Sequence, residues 1–380
     1  MVVKAVKKMK NKKNVAEFAV DMLLAAAVTA FTFCVALPAS RNTDLLSFFE
    51  SAGSDTVRAV SVESAGTEDT TSPPSTPDTA APVSAARQEE TAVSAENGLS
   101  DLKAMQDSYI AAFAGKEPAG TVSEQFFVTD GATDVLGNVA IKNTTSTKKP
   151  DFEALLNAGA PLEKADFSAP TVLIFHTHTT ESYLQVDDGV FYDGYQTRST
   201  DPGRNMVRVG DEICAVLEQN GIGVIHDTNI YDEAYDGAYA RSRKTVLEYL
   251  EKYPTIQIVL DVHRDAIYYS DTCRCKPTAV INGEKAAQVM IITGAEEGQI
   301  TDFPNWEGNL KFALALQKTA QEKFEGLMKP VYFCQRKYNM DTAKCSLLLE
   351  IGSDANTLEE ACRSAHMIGE TLAQMIKNVK

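Results

Sequence analysis

The chain has 380 residues and a net charge of −16, with 36 lysines and arginines against 52 aspartates and glutamates. At roughly 150 residues per domain, this length allows two or three domains. Six of the basic residues are lysines within the first thirteen positions, so the rest of the chain is strongly acidic. Because no basic patch remains to neutralise phosphates, the composition argues against nucleic acid as a partner.

The N-terminus combines a basic segment, residues 1–16, with a mostly apolar run, residues 17–38. About 20 helical residues span the ~30 Å hydrocarbon core of a bilayer, whereas the apolar part of a signal peptide is usually ~7–15 residues long. The length favours a retained transmembrane anchor over a cleaved signal, and the lysines place the first segment in the cytoplasm. We therefore predict a single-pass protein of the cell membrane with its head on the extracytoplasmic side.

Residues 39–105 are predicted to form a disordered linker. No aromatic residue lies between Phe49 and Tyr109, and 26 residues of the stretch 51–90 are Ser, Thr, Pro, Ala or Gly. Such a segment can bury little apolar surface and behaves as a flexible tether. We assign residues 106–165 to a variable lead-in and residues 166–380 to the folded head.

Short apolar runs alternate with amphipathic segments in the head. The runs that we predict as strands are residues 171–175, 223–227, 256–262, 288–293, 330–334 and 346–351. The segments that we predict as helices are residues 204–220, 239–252, 309–324 and 357–376, the last capped by Asn356 with Glu359. This alternation predicts an α/β domain with a largely parallel sheet and helices on both faces.

Seven cysteines are present, one of them in the apolar run and six in the head. The spacing of the six is not that of a zinc ribbon, and Cys273 lies too close to Cys275 for a relaxed disulfide between neighbouring strand residues. We predict free thiols, with disulfides as the alternative that an oxidising compartment would allow.

Unusual polar residues follow three of the predicted strands. They are His176, His178 and Glu181 after the first strand, His263, Arg264 and Asp265 after the third, and Glu350 within the last. Ligands of open α/β sheets bind at the carboxyl ends of the strands. Imidazole and carboxylate are ligands that zinc prefers, and a catalytic zinc needs three of them and a fourth position open for water. The sequence therefore predicts a zinc site at this edge.

The roles of individual candidates stay open at this stage. His176 and His178 are two residues apart on a segment expected to be extended, so both are expected to face the same side, with Glu181 converging from the next turn. One of the two histidines can instead be a hydrogen-bonded structural residue. Glu350 within an apolar run must be paired, metal-bound or poised as a base, because uncompensated burial of its charge is costly.

Four other polar residues have simpler interpretations. Arg264 and Asp265 flank His263, so they can orient it, hold a carboxylate of the substrate or form a surface ion pair. His226 and His366 are interpreted as structural residues.

Several sequence runs resemble the stage II sporulation protein P family. They are HTHTTESY, NMVRVGDEI, DVHRDA and LLLEIGSDANTLEEA, and the resemblance covers about residues 140–380. It implies a zinc-dependent hydrolase of peptidoglycan that cuts the amide between N-acetylmuramic acid and L-alanine, with an endopeptidase activity on cross-links. It further implies a role in engulfment during sporulation, beside a lytic transglycosylase, stage II sporulation protein D.

The head is also similar to zinc N-acetylmuramoyl-L-alanine amidases, whose ligands are His, Glu and His with a catalytic Glu on a late strand. Carried over, this implies His176 or His178, Glu181 and His263 as ligands, and Glu350 as the base. The first His and the Glu are closer here than in those amidases, which leaves the first ligand open. The alternatives are a peptidase with the same site and a non-catalytic wall-binding scaffold.

Overall fold

Two β-sheets and six helices make up residues 102–379, the part of the chain that the computed structural model describes. The helices are α1 (102–113), α2 (Phe152–Ala158), α3 (Met206–Gln219), α4 (Ala238–Lys252), α5 (Trp306–Lys323) and α6 (Leu358–Lys377). The strands are β1 (Gly120–Gln125), β2 (Asp134–Leu136), β3 (Val139–Asn143), β4 (Pro170–Phe175), β5 (Val190–Phe191), β6 (Gly223–His226), β7 (Ile258–Asp265), β8 (Tyr268–Ser270), β9 (Cys273–Ile281), β10 (Glu284–Ala287), β11 (Val289–Gly294), β12 (Val331–Cys334) and β13 (Cys345–Ser353).

The larger sheet has eight strands in the order β2-β3-β12-β11-β13-β7-β4-β6. Strands β6, β4, β7 and β13 are mutually parallel, and so are β11, β12 and β3, but the two groups meet in the antiparallel pair β11–β13. Strand β2 closes one edge in antiparallel orientation. The predicted α/β class is confirmed, whereas the sheet is mixed because its two parallel groups run in opposite directions.

Helices lie on both faces of this sheet. Val172 and Ile174 of β4 belong to the main core, which is shared with α3, α5 and α6. The alternate residues Leu173 and Phe175 point the other way and pack with Val246 of α4. Successive side chains of a strand face opposite sides, and helices cover both faces here, so both sets of β4 residues are buried. This burial explains why the strand is apolar almost throughout.

A second sheet, in the order β10-β9-β1-β5 with β8 paired to β9, was not predicted. Its strand β9 buries Lys276, whose Nζ lies 2.7 Å from Asp187 Oδ1 and 2.7 Å from Glu360 Oε1. These carboxylates come from a loop and from α6, so they satisfy a charge that would otherwise be costly to bury.

The larger sheet begins upstream of residue 166. Strands β2 and β3 and helix α2 fall within the predicted lead-in, 106–165, and β3 pairs with β12. The domain boundaries themselves stay a prediction. At the other end, the capping box of α6 is formed by Thr357 and Glu360, one residue beyond the predicted pair, and the Asn356 side chain donates to Glu360.

The localisation prediction is wrong for the part of the chain that the structure describes. Among residues 102–379 no helix combines the length and the apolar character needed to cross a bilayer. The predicted anchor, 17–38, and nearly all of the predicted linker, 39–105, lie outside the described residues.

Six cysteines of the described chain are free thiols, as predicted. They are Cys214, Cys273, Cys275, Cys334, Cys345 and Cys362, and all but Cys273 are buried. Burial raises the pKa of the Cys362 thiol to about 12, so this group is not activated as a nucleophile.

Candidate functional site

Three neighbouring strands deliver the candidate residues to one edge of the larger sheet. The strands β4, β7 and β13 are adjacent and parallel, so their carboxyl ends meet. His178 and Glu181 lie in the turn after β4, His263 lies near the end of β7, and Glu350 pairs with His263 across β13 and β7. The sheet order therefore brings together residues separated by more than 170 positions in sequence.

His178, Glu181 and His263 form a buried group, which we call the triad. Glu181 Oε1 lies 3.5 Å from His178 Nδ1, and Glu181 Oε2 lies 3.4 Å from His263 Nδ1. One ligand atom from each side chain falls within 4.8 Å of the others, and the three side chains are only 3–7% exposed. Two imidazoles and a carboxylate that converge in this way could hold a metal ion.

The imidazole of His263 is held from behind by a carboxylate. Its Nε2 lies 2.7 Å from Asp261 Oδ1, and Asp261 itself accepts hydrogen bonds from the Thr177 backbone N–H at 2.8 Å and the Thr177 hydroxyl at 2.7 Å. A carboxylate close to the outer nitrogen of a ligating histidine helps to orient the ring. This arrangement leaves Nδ1 of His263 facing Glu181.

Two tyrosines pack against the histidines of the triad. The ring of Tyr235 stacks on His178 with centroids 4.8 Å apart, and the ring of Tyr239 stacks on His263 with centroids 6.4 Å apart. Tyr239 is partly buried, whereas Tyr235 remains 38% exposed. These rings restrict the orientation of both imidazoles, and Tyr235 lies at the mouth of the site.

Opposite charges dominate the electrostatics of the triad. Burial alone would lower the pKa of His263, but the Asp261 and Glu181 carboxylates raise it well above the usual value. Burial likewise opposes ionisation of Glu181, yet Arg264 and the two histidines hold its pKa well below the usual range. The triad is therefore built around the ionised carboxylate of Glu181. A metal cation can neutralise its charge in place of the protons on the two histidines.

Glu350 lies beside the triad without a fixed partner. Its Oε2 is buried and has no hydrogen-bond partner among the described residues. Burial and, next, the Asp265 carboxylate raise its pKa to about 8. A buried carboxyl oxygen without a partner is costly, so this group is poised to interact with something that enters the site.

His176 is not part of the triad. Its Nδ1 lies 2.8 Å from the Val262 carbonyl oxygen and its Nε2 lies 2.9 Å from His226 Nε2. His226 in turn contacts Asp211 Oδ1 at 3.0 Å. Burial and the neighbouring His226 lower the pKa of His176 well below its usual value. Of the two candidate histidines after β4, the structure therefore brings only His178 to Glu181.

Arg264 and Asp265 point in different directions. The Arg264 guanidinium is buried and donates from Nε to the Ser182 carbonyl at 3.1 Å and from Nη2 to the Thr197 carbonyl at 2.7 Å. Asp265 Oδ2 lies 3.5 Å from Lys329 Nζ at a partly exposed position. The two side chains therefore do not form a surface ion pair with each other. The hydrogen bonds of Arg264 instead hold the loop that follows Glu181 in place.

Sequence reasoning missed Asp261, Arg198 and the two tyrosines. Asp261 did carry a signal, since a carboxylate inside an apolar strand and two residues before His263 must share its face. Arg198 lies seventeen residues after Glu181 in a segment without a predicted helix or strand, and no motif in that segment marks it as a candidate site residue.

Solved N-acetylmuramoyl-L-alanine amidases are among the structures similar to this chain. The amidase AmiC2 of Nostoc punctiforme is 12% identical with a TM-score of 0.32, covering 55% of this chain and 95% of that one. The CwlD amidase of Clostridioides difficile, solved in complex with the GerS lipoprotein, is 12% identical with a TM-score of 0.34, covering 55% and 98%. Similarity at this level does not establish a shared activity.

Sequence comparison gives a firmer relationship. Stage II sporulation protein P of Bacillus subtilis (strain 168) is 32% identical over 222 residues, which are 54% of this chain and 50% of the relative. The chain thus matches about half the length of that curated relative. Residues 61–373 match the profile of the family described as stage II sporulation protein P. The chain therefore belongs to the stage II sporulation protein P family.

Proposed function

We propose that this protein is a zinc-dependent peptidoglycan hydrolase that cuts the amide between N-acetylmuramic acid and L-alanine during sporulation. The observation that carries the proposal is the buried triad of His178, Glu181 and His263 with the unpartnered carboxyl of Glu350 beside it. Family membership supports the choice of substrate, since the resemblance of the sequence implies a cell-wall hydrolase.

The side chains of the triad fit a zinc ion. Their donor set is two imidazole nitrogens and one carboxylate, which leaves a fourth position for water, and Asp261 supports His263 from outside. When bound, zinc lowers the pKa of a coordinated water and polarises a carbonyl group. His178, Glu181 and His263 would be its ligands.

Glu350 is proposed as the general base. Glu350 lies opposite His263 in the pairing of their two strands, and its carboxyl has a free, buried oxygen, so it can take a proton from the attacking water and return it to the departing amine of L-alanine. A carboxyl with a pKa raised to about 8 by burial and by Asp265 holds a proton more readily than an exposed one. That property suits a group that must both accept and donate.

Removal of stem peptides leaves bare glycan strands. We therefore include in the proposal a partner that consumes such strands, a lytic transglycosylase like stage II sporulation protein D. The supporting argument is chemical, because cleavage of the muramoyl amide produces the substrate of that reaction.

The test is digestion of purified peptidoglycan with the zinc-loaded protein, followed by mass spectrometry of the fragments. We expect free stem peptides with L-alanine at the amino end and glycan without peptides, and a release of both that is roughly 100- to 10,000-fold slower with Glu350→Gln. Cleavage between two amino acids instead would indicate a peptidase with the same site. A protein that holds no zinc and cuts neither bond would be the non-catalytic scaffold.

A further inference from the structure

Arg198 lies at the mouth of the site and is in direct contact with the triad. Its Nη2 is 3.5 Å from Glu181 Oε1, and its guanidinium carbon is 5.6 Å from the centroid of the Tyr235 ring, which stacks on His178. The Arg198 side chain is 40% exposed, whereas the triad is buried. Arg198 therefore places an exposed positive charge beside the buried triad.

The position of Arg198 is fixed by the fold. Asp232, fully buried, accepts from Arg198 Nη1 at 2.7 Å, and the same nitrogen donates to the Thr180 hydroxyl at 3.1 Å. Its backbone pairs with that of Glu181, and the Ser199 N–H donates to the Thr180 carbonyl at 2.7 Å. The guanidinium is thus held in place before any substrate arrives.

One edge of the guanidinium remains available. Nη1 carries the two short contacts and Nη2 has only the 3.5 Å contact with Glu181. Nε of Arg198 has no acceptor among residues 102–379 in the structure. The Nε–H and Nη2–H groups form the fork that grips a carboxylate through two parallel hydrogen bonds.

The acidic character of the chain leaves the recognition of an anionic substrate to local contacts. The chain carries a net charge of −16, so it offers no long-range attraction to anions. The other nearby guanidinium, that of Arg264, is buried and occupied by backbone carbonyls. Arg198 is exposed and rigidly held, which is what local recognition of an anion requires.

We propose that Arg198 binds a carboxylate of the stem peptide next to the amide that is cut. The inference rests on the proposed function, because it takes the stem peptide as the ligand. In this proposal Arg198 recognises the substrate, and Glu350 carries out proton transfer. The preferred substrate would then carry a free carboxylate on the residues that follow L-alanine, and amidation of that carboxylate would weaken binding.

The test compares N-acetylmuramoyl-L-alanyl-D-glutamate with its diamide, which differ only in their carboxylates. Binding of each to the zinc-loaded full chain is measured by calorimetry, and cleavage of each is measured separately. We expect the full chain to bind the diacid about 10- to 100-fold more tightly than the diamide, as is typical of hydrogen bonds to a charged group.

Three variants locate the origin of that preference. Arg198→Gln should lose the preference for the diacid while binding the diamide as before, and Arg198→Lys should retain part of it, because an ammonium supplies charge without the fork. Arg363→Gln on α6 is the matched control, since Arg363 also pairs with carboxylates, Glu284 and Glu359, but lies outside the site. Unfolding temperatures of all variants confirm that the fold is intact.

Three results would overturn the assignment. They are equal binding of diacid and diamide by the unmodified chain, a preference that survives in Arg198→Gln, and an equal loss of affinity for both ligands in that variant. The last would mean that Arg198 only supports the loop around Asp232. Failure of the unmodified chain to cut the diacid would count against the proposed hydrolase and would leave the binding result to decide the role of Arg198.

Discussion

Replacement of Gly210 by alanine should destabilise the protein, although the same change usually stabilises a helix. Gly210 lies inside α3, where alanine is favoured over glycine by about 1 kcal/mol. A Cβ at this position would lie only 2.4 Å from His226 Nε2 and 2.7 Å from His176 Nε2. The two imidazoles therefore meet in the space that the methyl group of an alanine would fill.

The magnitude follows from these two opposing effects. Overpacking of a closely packed core costs roughly 1–3 kcal/mol, and the helix preference returns about 1 kcal/mol. Neither ring can move freely, because His176 Nδ1 is held by the Val262 carbonyl and His226 by Asp211. We therefore place the overpacking cost in the upper half of that range, at about 2–3 kcal/mol, which leaves a net loss of roughly 1–2 kcal/mol in the free energy of unfolding, or a fall in melting temperature of about 2–8 °C.

A double-mutant cycle with His226→Ala tests the reasoning. Removal of the His226 ring eliminates the shorter contact, at 2.4 Å, while the 2.7 Å contact with His176 Nε2 remains, so Gly210→Ala should cost less in that background. Chemical denaturation of the four proteins gives the coupling free energy. A Gly210→Ala protein as stable as the parent, or a cycle in which the two effects simply add, would refute the idea that this glycine accommodates the histidine pair.

The remaining predictions concern the proposed metal site. His178→Ala should lose zinc whereas His176→Gln should keep it, because only His178 contacts Glu181; elemental analysis distinguishes them. His263→Ala should also lose zinc, whereas Glu350→Gln should keep the metal and lose roughly 100- to 10,000-fold in the rate of stem-peptide release. Loss of metal from Glu350→Gln would instead make Glu350 a ligand. Asp261→Asn should weaken zinc binding roughly 10- to 100-fold in a chelator competition.

The strands that form the edge carrying the site could be predicted because they are apolar on both faces. Residues 171–175, 256–262 and 346–351 are nearly continuous apolar runs, and in the structure they are the adjacent strands β4, β7 and β13. Polar residues at the ends of such strands stand out against the apolar background. The rule that ligands gather at carboxyl ends then points to the edge of the sheet at which the triad lies, without any knowledge of strand order.

The second sheet could not be predicted in the same way. Strand β1 reads GTVSEQ and β9 reads CRCKPTAVI, so neither shows a clear apolar run or a clean alternation. Lys276 within β9 indicates exposure by its residue type, yet it is buried because Asp187 and Glu360 surround its ammonium group. Those partners lie about 85 residues away on either side in sequence, so the burial depends on tertiary structure alone.

The choice between His176 and His178 shows that the alternation of side chains along a strand does not extend into the turn that follows it. Two residues apart on a strand, they were expected to face the same side, but β4 ends at Phe175 and the chain turns at once. His176 faces α3, where it meets His226 and Gly210, while His178 lies on the side of Glu181 and Tyr235. The alternation of side chains holds only while the backbone remains extended.

Arg264 connects the proposed metal ligands to the proposed recognition of substrate. It follows His263 on β7, its backbone N–H donates to Glu181 Oε2 at 3.2 Å, and its guanidinium binds the carbonyls of Ser182 and Thr197. Those two carbonyls belong to residues next to Glu181 and next to Arg198. The buried Arg264 side chain and backbone therefore hold both the Glu181 carboxylate and the loop that presents the exposed guanidinium of Arg198. The charge of Arg264 also keeps Glu181 ionised, as a metal ligand must be. The effect of Arg264 on catalysis would thus be indirect, through the positions of Glu181 and Arg198, and its own side chain has no free edge for substrate.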